Sequence, residues 1–228
     1  YTNPSIAGAN VGATNNATLN YYHHVNFDPT GTGNTPTYTL PIGGIVADGN
    51  VVIGNAANEI TLSGVTNNSA VTILGDVSCG TGLIEFGNAV RTGAGIWTIG
   101  GNFTSTNCFG IFTFNTGSTL KMTGSTKTIT HSGAIYNLSI DPSAGGGGTI
   151  NLATTNNVTN NVSIAANDQL TIDSAKILTH NGATLTLNGT LNGPGRYTYK
   201  SVTDFPTTGT LAAGLILRFD TTLNSQVM

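Results

Sequence analysis

Charge is what this chain most nearly lacks. Lys, Arg, Asp and Glu together supply 7% of its 228 residues, against about a quarter in an ordinary soluble domain. A surface so poor in ions has little electrostatic defence against self-association. Seven basic residues and a formal net charge of −3 argue against a nucleic-acid partner, because phosphates are held by clustered Lys and Arg. The lysines, Lys121, Lys127, Lys176 and Lys200, are scattered. Long apolar runs are missing as well: the longest, 211–217 (LAAGLIL), falls far short of the ~20 residues of a membrane-spanning helix. Cysteine is scarce. Two residues, Cys79 and Cys108, allow at most one internal disulfide, and no C-x-x-C or neighbouring His pair has the spacing of a metal site.

What is present is Gly, Asn, Thr and Ser around a substantial apolar fraction. At 38% hydrophobic residues the chain has enough apolar surface to bury a core and should fold rather than remain disordered. Period-two alternation dominates, and no 3.6-residue pattern competes with it. Short runs at 70–74 (AVTIL), 82–86 (GLIEF), 96–99 (IWTI), 111–114 (IFTF), 118–122 (STLKM), 148–152 (GTINL), 169–172 (QLTI) and 183–187 (ATLTL) are bounded by Gly, Asn or Ser turns. The chain reads as all-β. Ile73, Phe86, Ile99 and Phe112 recur at a step of 13, and later strands recur every 8 to 13 residues.

Such spacing suits a β-sandwich, a barrel or a solenoid. Composition separates them. Outward positions are Thr, Ser and Asn rather than Lys, Glu and Arg, as expected where like residues stack and hydrogen-bond along a ladder. Turns at Asn67–Asn68, Asn156–Asn157, Asn160–Asn161 and Asn181–Gly182 supply residues that tolerate left-handed backbone at corners. The expected fold is therefore a β-solenoid, or parallel β-helix, of stacked short strands, with a β-sandwich as the alternative. Within a solenoid, residues one coil apart come close. Cys79 and Cys108 then have three states open to them: a mutual bridge, a bridge between subunits, or two buried thiols.

Residues 120–193 carry a resemblance. Ile135, Asn137, Leu138, Ile150, Leu152, Val158, Val162, Ile164, Leu170, Ile172, Leu185, Leu187 and Leu191 occupy places of a pattern T-I-x-G/S…Y/F-x-N-L-x-I…G-T-I-x-L…V…N-V-x-I…L-T-I/L…L-T-L-x-G-T-L. This resembles the degenerate repeats of large prokaryotic cell-surface, sheath and adhesin proteins. The resemblance covers about a third of the chain and implies a stacking scaffold built of parallel β-helical coils.

Three regions are expected: an irregular arm or cap over 1–40, containing YYHHVNFDP; a solenoid body over 41–196; and a C-terminal end over 197–228. The ends of a solenoid must be covered or matched to another copy. Tyr21, Tyr22, Tyr197, Tyr199, Leu215 and Leu217 are the candidate assembly contacts. The chain begins at Tyr1 with no basic and apolar leader, and reads as a mature product or an excised fragment. Seven N-x-S/T sequons, at Asn16, Asn67, Asn102, Asn137, Asn157, Asn161 and Asn188, are acceptors for N-linked glycans if the chain follows a glycosylating export route.

Catalytic chemistry finds little support. His23, His24 and Asp28 could hold a metal, but neighbours on a strand point to opposite faces, so a surface role is expected. His131 and His180 are isolated and read as turn residues or partners of Asn and Thr. Asp141, Asp168, Asp173 and Lys176 are the acid–base candidates of a polysaccharide-cleaving β-helix, yet the sequence separates them by strands and turns. The run 145–148 lacks the Lys-Ser/Thr of a phosphate loop and reads as a flexible turn. Trp97 and the pair Tyr21–Tyr22 could stack on a sugar, although the place of Trp97 between Ile96 and Ile99 puts it over the core or at a subunit contact. The expectation is a non-enzymatic, extracellular cell-surface protein without cofactor or metal. It would polymerise with itself through inter-subunit β-pairing into an amyloid-like filament, sheath or surface layer. The alternative is a carbohydrate-binding adhesin module.

Overall fold

The computed structural model describes residues 20–27, 37–54, 60–80, 89–106, 108, 111–142, 147–182, 184–200, 205–206 and 208–220. Every regular element among them is a strand. In chain order they are β1 (Asn20–Tyr22), β2 (Val25–Phe27), β3 (Thr37–Thr39), β4 (Ile45–Ala47), β5 (Val51–Ile53), β6 (Thr61–Ser63), β7 (Val71–Ile73), β8 (Val77–Cys79) and β9 (Ala89–Arg91). Next come β10 (Ile96–Ile99), β11 (Phe103–Thr104), β12 (Ile111–Thr113), β13 (Thr119–Met122), β14 (Lys127–Thr130), β15 (Ala134–Ile135), β16 (Asn137–Ile140), β17 (Thr149–Leu152) and β18 (Asn156–Val158). The last are β19 (Asn161–Ile164), β20 (Gln169–Ile172), β21 (Ile177–His180), β22 (Thr184–Leu187), β23 (Thr190–Asn192), β24 (Arg196–Tyr199), β25 (Thr210–Leu211) and β26 (Ile216–Phe219). Each holds two to four residues of apolar–polar alternation, so one set of side chains points inward and the next outward.

Strands pair in parallel with the strand three elements later, except that β12 does not pair with β15 and the last pairs, β23 with β25 and β24 with β26, skip only one element; this is the signature of a three-sided coil. Sheet A stacks β1, β4, β7, β10, β13, β16, β19 and β22; sheet B stacks β2, β5, β8, β11, β14, β17, β20, β23 and β25. The third wall is made in two parts. Sheet C holds β3, β6, β9 and β12, and sheet D holds β15, β18, β21, β24 and β26. The protein is a parallel β-solenoid of about seven turns. Because β1, β2 and β3 pair with β4, β5 and β6, the sheets run straight through the boundary expected at Leu40. The rest of the expected N-terminal arm, 1–19 and 28–36, lies outside the described residues.

Register sets the true period. Ile45 lies beside Val71 and Val71 beside Trp97, a step of 26 residues; Leu120 lies beside Leu138, a step of only 18. The 13-residue step read from the sequence is therefore not a coil. Ile73 and Ile99 do share a column, but Phe112 sits on sheet C beside Val90, and Phe86 lies outside the described residues. Three strands of similar pattern fill each coil, so several spacings mimic a repeat.

The inward columns form one core. Along sheet A it runs Val71, Trp97, Leu120, Leu138, Val162 and Leu185, all buried. Trp97 is 1% exposed and meets Phe112 edge-on, with ring centroids 5.4 Å apart. Phe103, Phe112, Phe114 and His131 complete an aromatic cluster where sheet C ends and sheet D begins. Gly133 is required at that seam, since a Cβ there would crowd the His131 ring and lie 3.2 Å from the Phe112 carbonyl oxygen.

Side chains seal the corner between sheets A and B. The amide N–H of Asn50 donates to His24 Nδ1 at 2.9 Å, that of Asp76 to Asn50 Oδ1 at 2.9 Å, that of Asn102 to Asp76 Oδ1 at 2.6 Å and that of Thr128 to Asn102 Oδ1 at 3.0 Å. Each acceptor lies one coil before its donor, so a backbone N–H at each of these four corners is satisfied without water. The glycines just before, Gly49, Gly75 and Gly101, stack so closely on one another that a Cβ would collide with backbone. This Gly-Asn/Asp-Val/Phe signal at 49–51, 75–77 and 101–103 carries the 26-residue period that the apolar residues obscured.

Candidate functional site

Functional features fall into interior polar pairs, outward faces and the C-terminal end of the stack. Ser105, which the sequence did not single out, and His131, read there as a turn residue or a partner of Asn and Thr, are buried just past the sheet B strands β11 and β14. Ser105 Oγ lies 2.6 Å from His131 Nδ1, and both residues are buried. Burial holds the His131 imidazole down to about 4, partly opposed by a hydrogen bond with the Ala134 backbone. The pair is neutral at pH 7 and closed to solvent, so Ser105 is not presented to a substrate. The Thr154 hydroxyl donates to the His131 carbonyl at 2.6 Å and accepts its N–H at 3.0 Å.

His180 is likewise interior rather than in a turn. Its Nε2–H donates to the Asn160 carbonyl at 2.7 Å, and its Nδ1 accepts the Tyr197 hydroxyl at 2.9 Å. Burial lowers its pKa, opposed by the bond to Asn160. Burial, reinforced by the nearby Tyr199, pushes the Tyr197 phenol well above its usual range. Tyr197 and Tyr199, expected as assembly contacts, are buried in this cluster: they alternate with Thr198 and take the inward positions of β24. Leu215 and Leu217 pack partly against the core. The backbones of Tyr21 and Tyr22 lie on β1, and their side chains are outside the described residues.

The acid–base candidates are not brought together as one site. Asp141 pairs with Lys121 at 2.7 Å on the outside of sheet A. Asp168 is buried at a corner, where its Oδ1 accepts the Gly148 N–H at 3.1 Å; burial raises its pKa, the Gly148 bond opposes this, and Asp141 adds a smaller upward push. Lys176 donates its backbone N–H to the Asp173 carbonyl. His23 and His24 are exposed, with His23 Nδ1 2.7 Å from Asp48 Oδ1 and His24 committed to the corner ladder; Asp28 lies outside the described residues. Of the run 145–148, only Gly147 and Gly148 are described.

Cys79 and Cys108 are joined in a disulfide that spans 29 residues, with Cα atoms 5.3 Å apart. The sequons divide by environment. Asn67 Nδ2 donates to the Leu40 carbonyl at 2.7 Å, Asn102 Nδ2 to Asp76 Oδ1 at 3.2 Å and Asn137 Nδ2 to the Ser118 carbonyl at 2.9 Å. Asn157 Oδ1 accepts Asn181 Nδ2 at 2.6 Å. Asn161 and Asn188 are exposed, and Asn16 lies outside the described residues. On the outer face of sheet A, Thr119, Asn137, Ser139, Asn161, Ser163 and Thr186 line a shallow neutral groove of about 390 Å³.

The C-terminal end is different in kind. β25 pairs only with β23, β26 only with β24 and β22 only with β19 among the described residues, leaving backbone groups on the far edge of each strand. Leu211 on β25 and Phe219 on β26 continue the inward columns yet are 44% and 43% exposed. Ile216 is 56% exposed. Phe205 meets Tyr199 and Phe219 edge-to-face, at centroid distances of 5.3 and 5.5 Å. Pro206 follows where coil order would place a ninth strand of sheet A, and proline has no N–H to give a ladder. By contrast the inward residues of the first coil, Val25, Phe27 and Tyr38, are buried. The exposed edges and apolar end were legible in LAAGLILRF only as a hydrophobic stretch. No family model, curated protein or solved structure matches the chain.

Proposed function

We propose that the chain is an extracellular structural protein of a prokaryotic cell surface that self-assembles into a filament, sheath or surface layer through strand pairing between copies. The observation that carries this reading is the C-terminal end. Parallel edges at β22, β25 and β26 stand beside exposed Leu211, Ile216 and Phe219, a combination that templates pairing with another chain. The sparse charge leaves little repulsion to prevent it. A disulfide suits an oxidising, exported setting, and the resemblance of 120–193 to cell-surface repeats agrees. In this reading the protein acts without catalysis or cofactor. The carbohydrate-binding alternative loses one of its platforms, because Trp97 is buried and cannot stack on a sugar; the side chains of its other, Tyr21–Tyr22, are outside the described residues.

Negative-stain electron microscopy of the purified, oxidised chain tests the reading across a concentration series. Fibres, hoops or sheets are expected. A monomer that persists at all concentrations in sedimentation would overturn it.

A further inference from the structure

Sequence position in this fold is also axial position, because successive coils stack in chain order along sheets A and B. Any charge asymmetry along the sequence therefore becomes an asymmetry along the solenoid axis. Residues 1–90 contain five acidic residues, Asp28, Asp48, Glu59, Asp76 and Glu85, and no Lys or Arg. All seven basic residues follow. Four of them, Lys176, Arg196, Lys200 and Arg218, belong to the last three coils on the side of sheet D. The lysines that look scattered in the sequence are thus partly gathered by the fold. Asp173 and Asp220 lie among them, Asp220 pairing with Lys200 at 3.3 Å and with Arg218 at 3.8 Å; with Asp204, which falls in the same stretch of sequence, three carboxylates stand against four cations, an excess of one positive charge.

We propose that the C-terminal end is a docking face for the acidic N-terminal end of a second copy, giving polar, head-to-tail growth. The inference rests on the self-assembly reading above and adds its partner face and its direction. Two features select this geometry over end-to-end pairing of two C-terminal faces. A copy added along the same axis presents parallel strands to β22, β25 and β26 and so continues the existing ladders, whereas a two-fold pairing would set strands antiparallel. Two C-terminal faces would also bring like-charged patches together, while head-to-tail stacking joins the basic end to the acidic one. Such a contact is heterologous and does not close on itself.

A chain-termination experiment reads the direction. The double variant Leu211→Lys/Phe219→Lys places charges on the open face but leaves the N-terminal end intact. Alone it should stay monomeric with the circular dichroism of the wild type. Leu211→Lys alone, on β25 and outside the Tyr199–Phe205–Phe219 cluster, repeats the test should the double variant unfold. Mixed at one part in ten with wild type, either variant should add to growing ends and stop them, cutting polymers to about ten subunits if both add equally well. Variants that are excluded from polymers and leave their length unchanged would overturn head-to-tail growth. Variants that polymerise alone as wild type does would remove this face from assembly. Absence of wild-type polymers would overturn the self-assembly reading itself. As a second measurement, Lys200→Glu/Arg218→Glu should slow elongation about tenfold at low salt and lose the salt dependence of the wild-type rate. Equal rates at every ionic strength would refute the electrostatic part.

Discussion

Acid should weaken this solenoid through His131, and the size of the effect follows from its burial. The imidazole has an ordinary value of 6.5 and is held down to about 4 in the folded protein. Below pH 6.5 the unfolded chain takes up a proton that the folded chain refuses, so the stability tied to this group is complete above pH 6.5 and lost progressively towards pH 4. Each pH unit of that window is worth about 1.4 kcal/mol, and the full descent removes about 3 kcal/mol. His180, also lowered by burial, adds in the same direction. Asp168 works against it: its raised value means that its contribution is present at low pH and lost as pH rises. The variant His131→Phe/Ser105→Ala isolates the His131 effect. It removes both polar partners together, so neither is left unsatisfied, and it sets an apolar ring beside Phe103, Phe112 and Phe114. Urea midpoints at pH 7, 5.5 and 4 supply the measurement. The wild type should lose about 3 kcal/mol more than the variant between pH 7 and pH 4. An identical pH slope in the two proteins would refute the argument.

Further outcomes follow from other parts of the molecule. Trp97 is the single tryptophan, so intrinsic fluorescence should be blue-shifted and resistant to iodide quenching in the folded protein; emission typical of exposed indole would contradict its core position. Asn102→Ala removes the acceptor of the Thr128 N–H and should destabilise by about 1–3 kcal/mol, measured by chemical denaturation. A loss as small as that of an exposed Asn188→Ala control would show the corner ladder to be dispensable. Cys79→Ala/Cys108→Ala opens a 29-residue link and should cost about 3–4 kcal/mol on loop-entropy grounds; free-thiol titration of the oxidised wild type should find none. Secretion from a glycosylating host should give occupancy at Asn161 and Asn188 above that at Asn102 and Asn137. Peptide mass spectrometry showing the reverse order would contradict the burial-based ranking.

The all-β solenoid was legible because alternation is a local property. Ile73 and Ile99, singled out by spacing, do share a column, and 137–140 and 161–164, picked out by the repeat pattern, pair in register. Coil length was less accessible. Three strands with the same apolar–polar alternation fill one coil, so an apparent 13-residue step arises from residues on different walls. The corner signal of Gly followed by Asn or Asp had no such ambiguity. His131 and His180 were misplaced because polarity was weighed over parity: Ile129 and His131 are two residues apart, as are Leu178 and His180, and period two sends both members of each pair inward. The same parity buries Tyr197 and Tyr199. Which end of the stack remains open depends on what packs beside it, a long-range matter that no local pattern encodes.

The divided third wall has a mechanical consequence. Sheets A and B run unbroken through the stack, but β12 and β15 do not pair, so hydrogen bonding along the axis is interrupted on one side at the level of the Phe103–Phe112–Phe114–His131 cluster. A column with two continuous walls and a third cut once has a preferred plane of bending, with the cut opening or closing and the aromatic cluster acting as its packing. A filament assembled from such columns in one orientation would carry that compliance at regular intervals, stiff along two faces and yielding at one point per subunit.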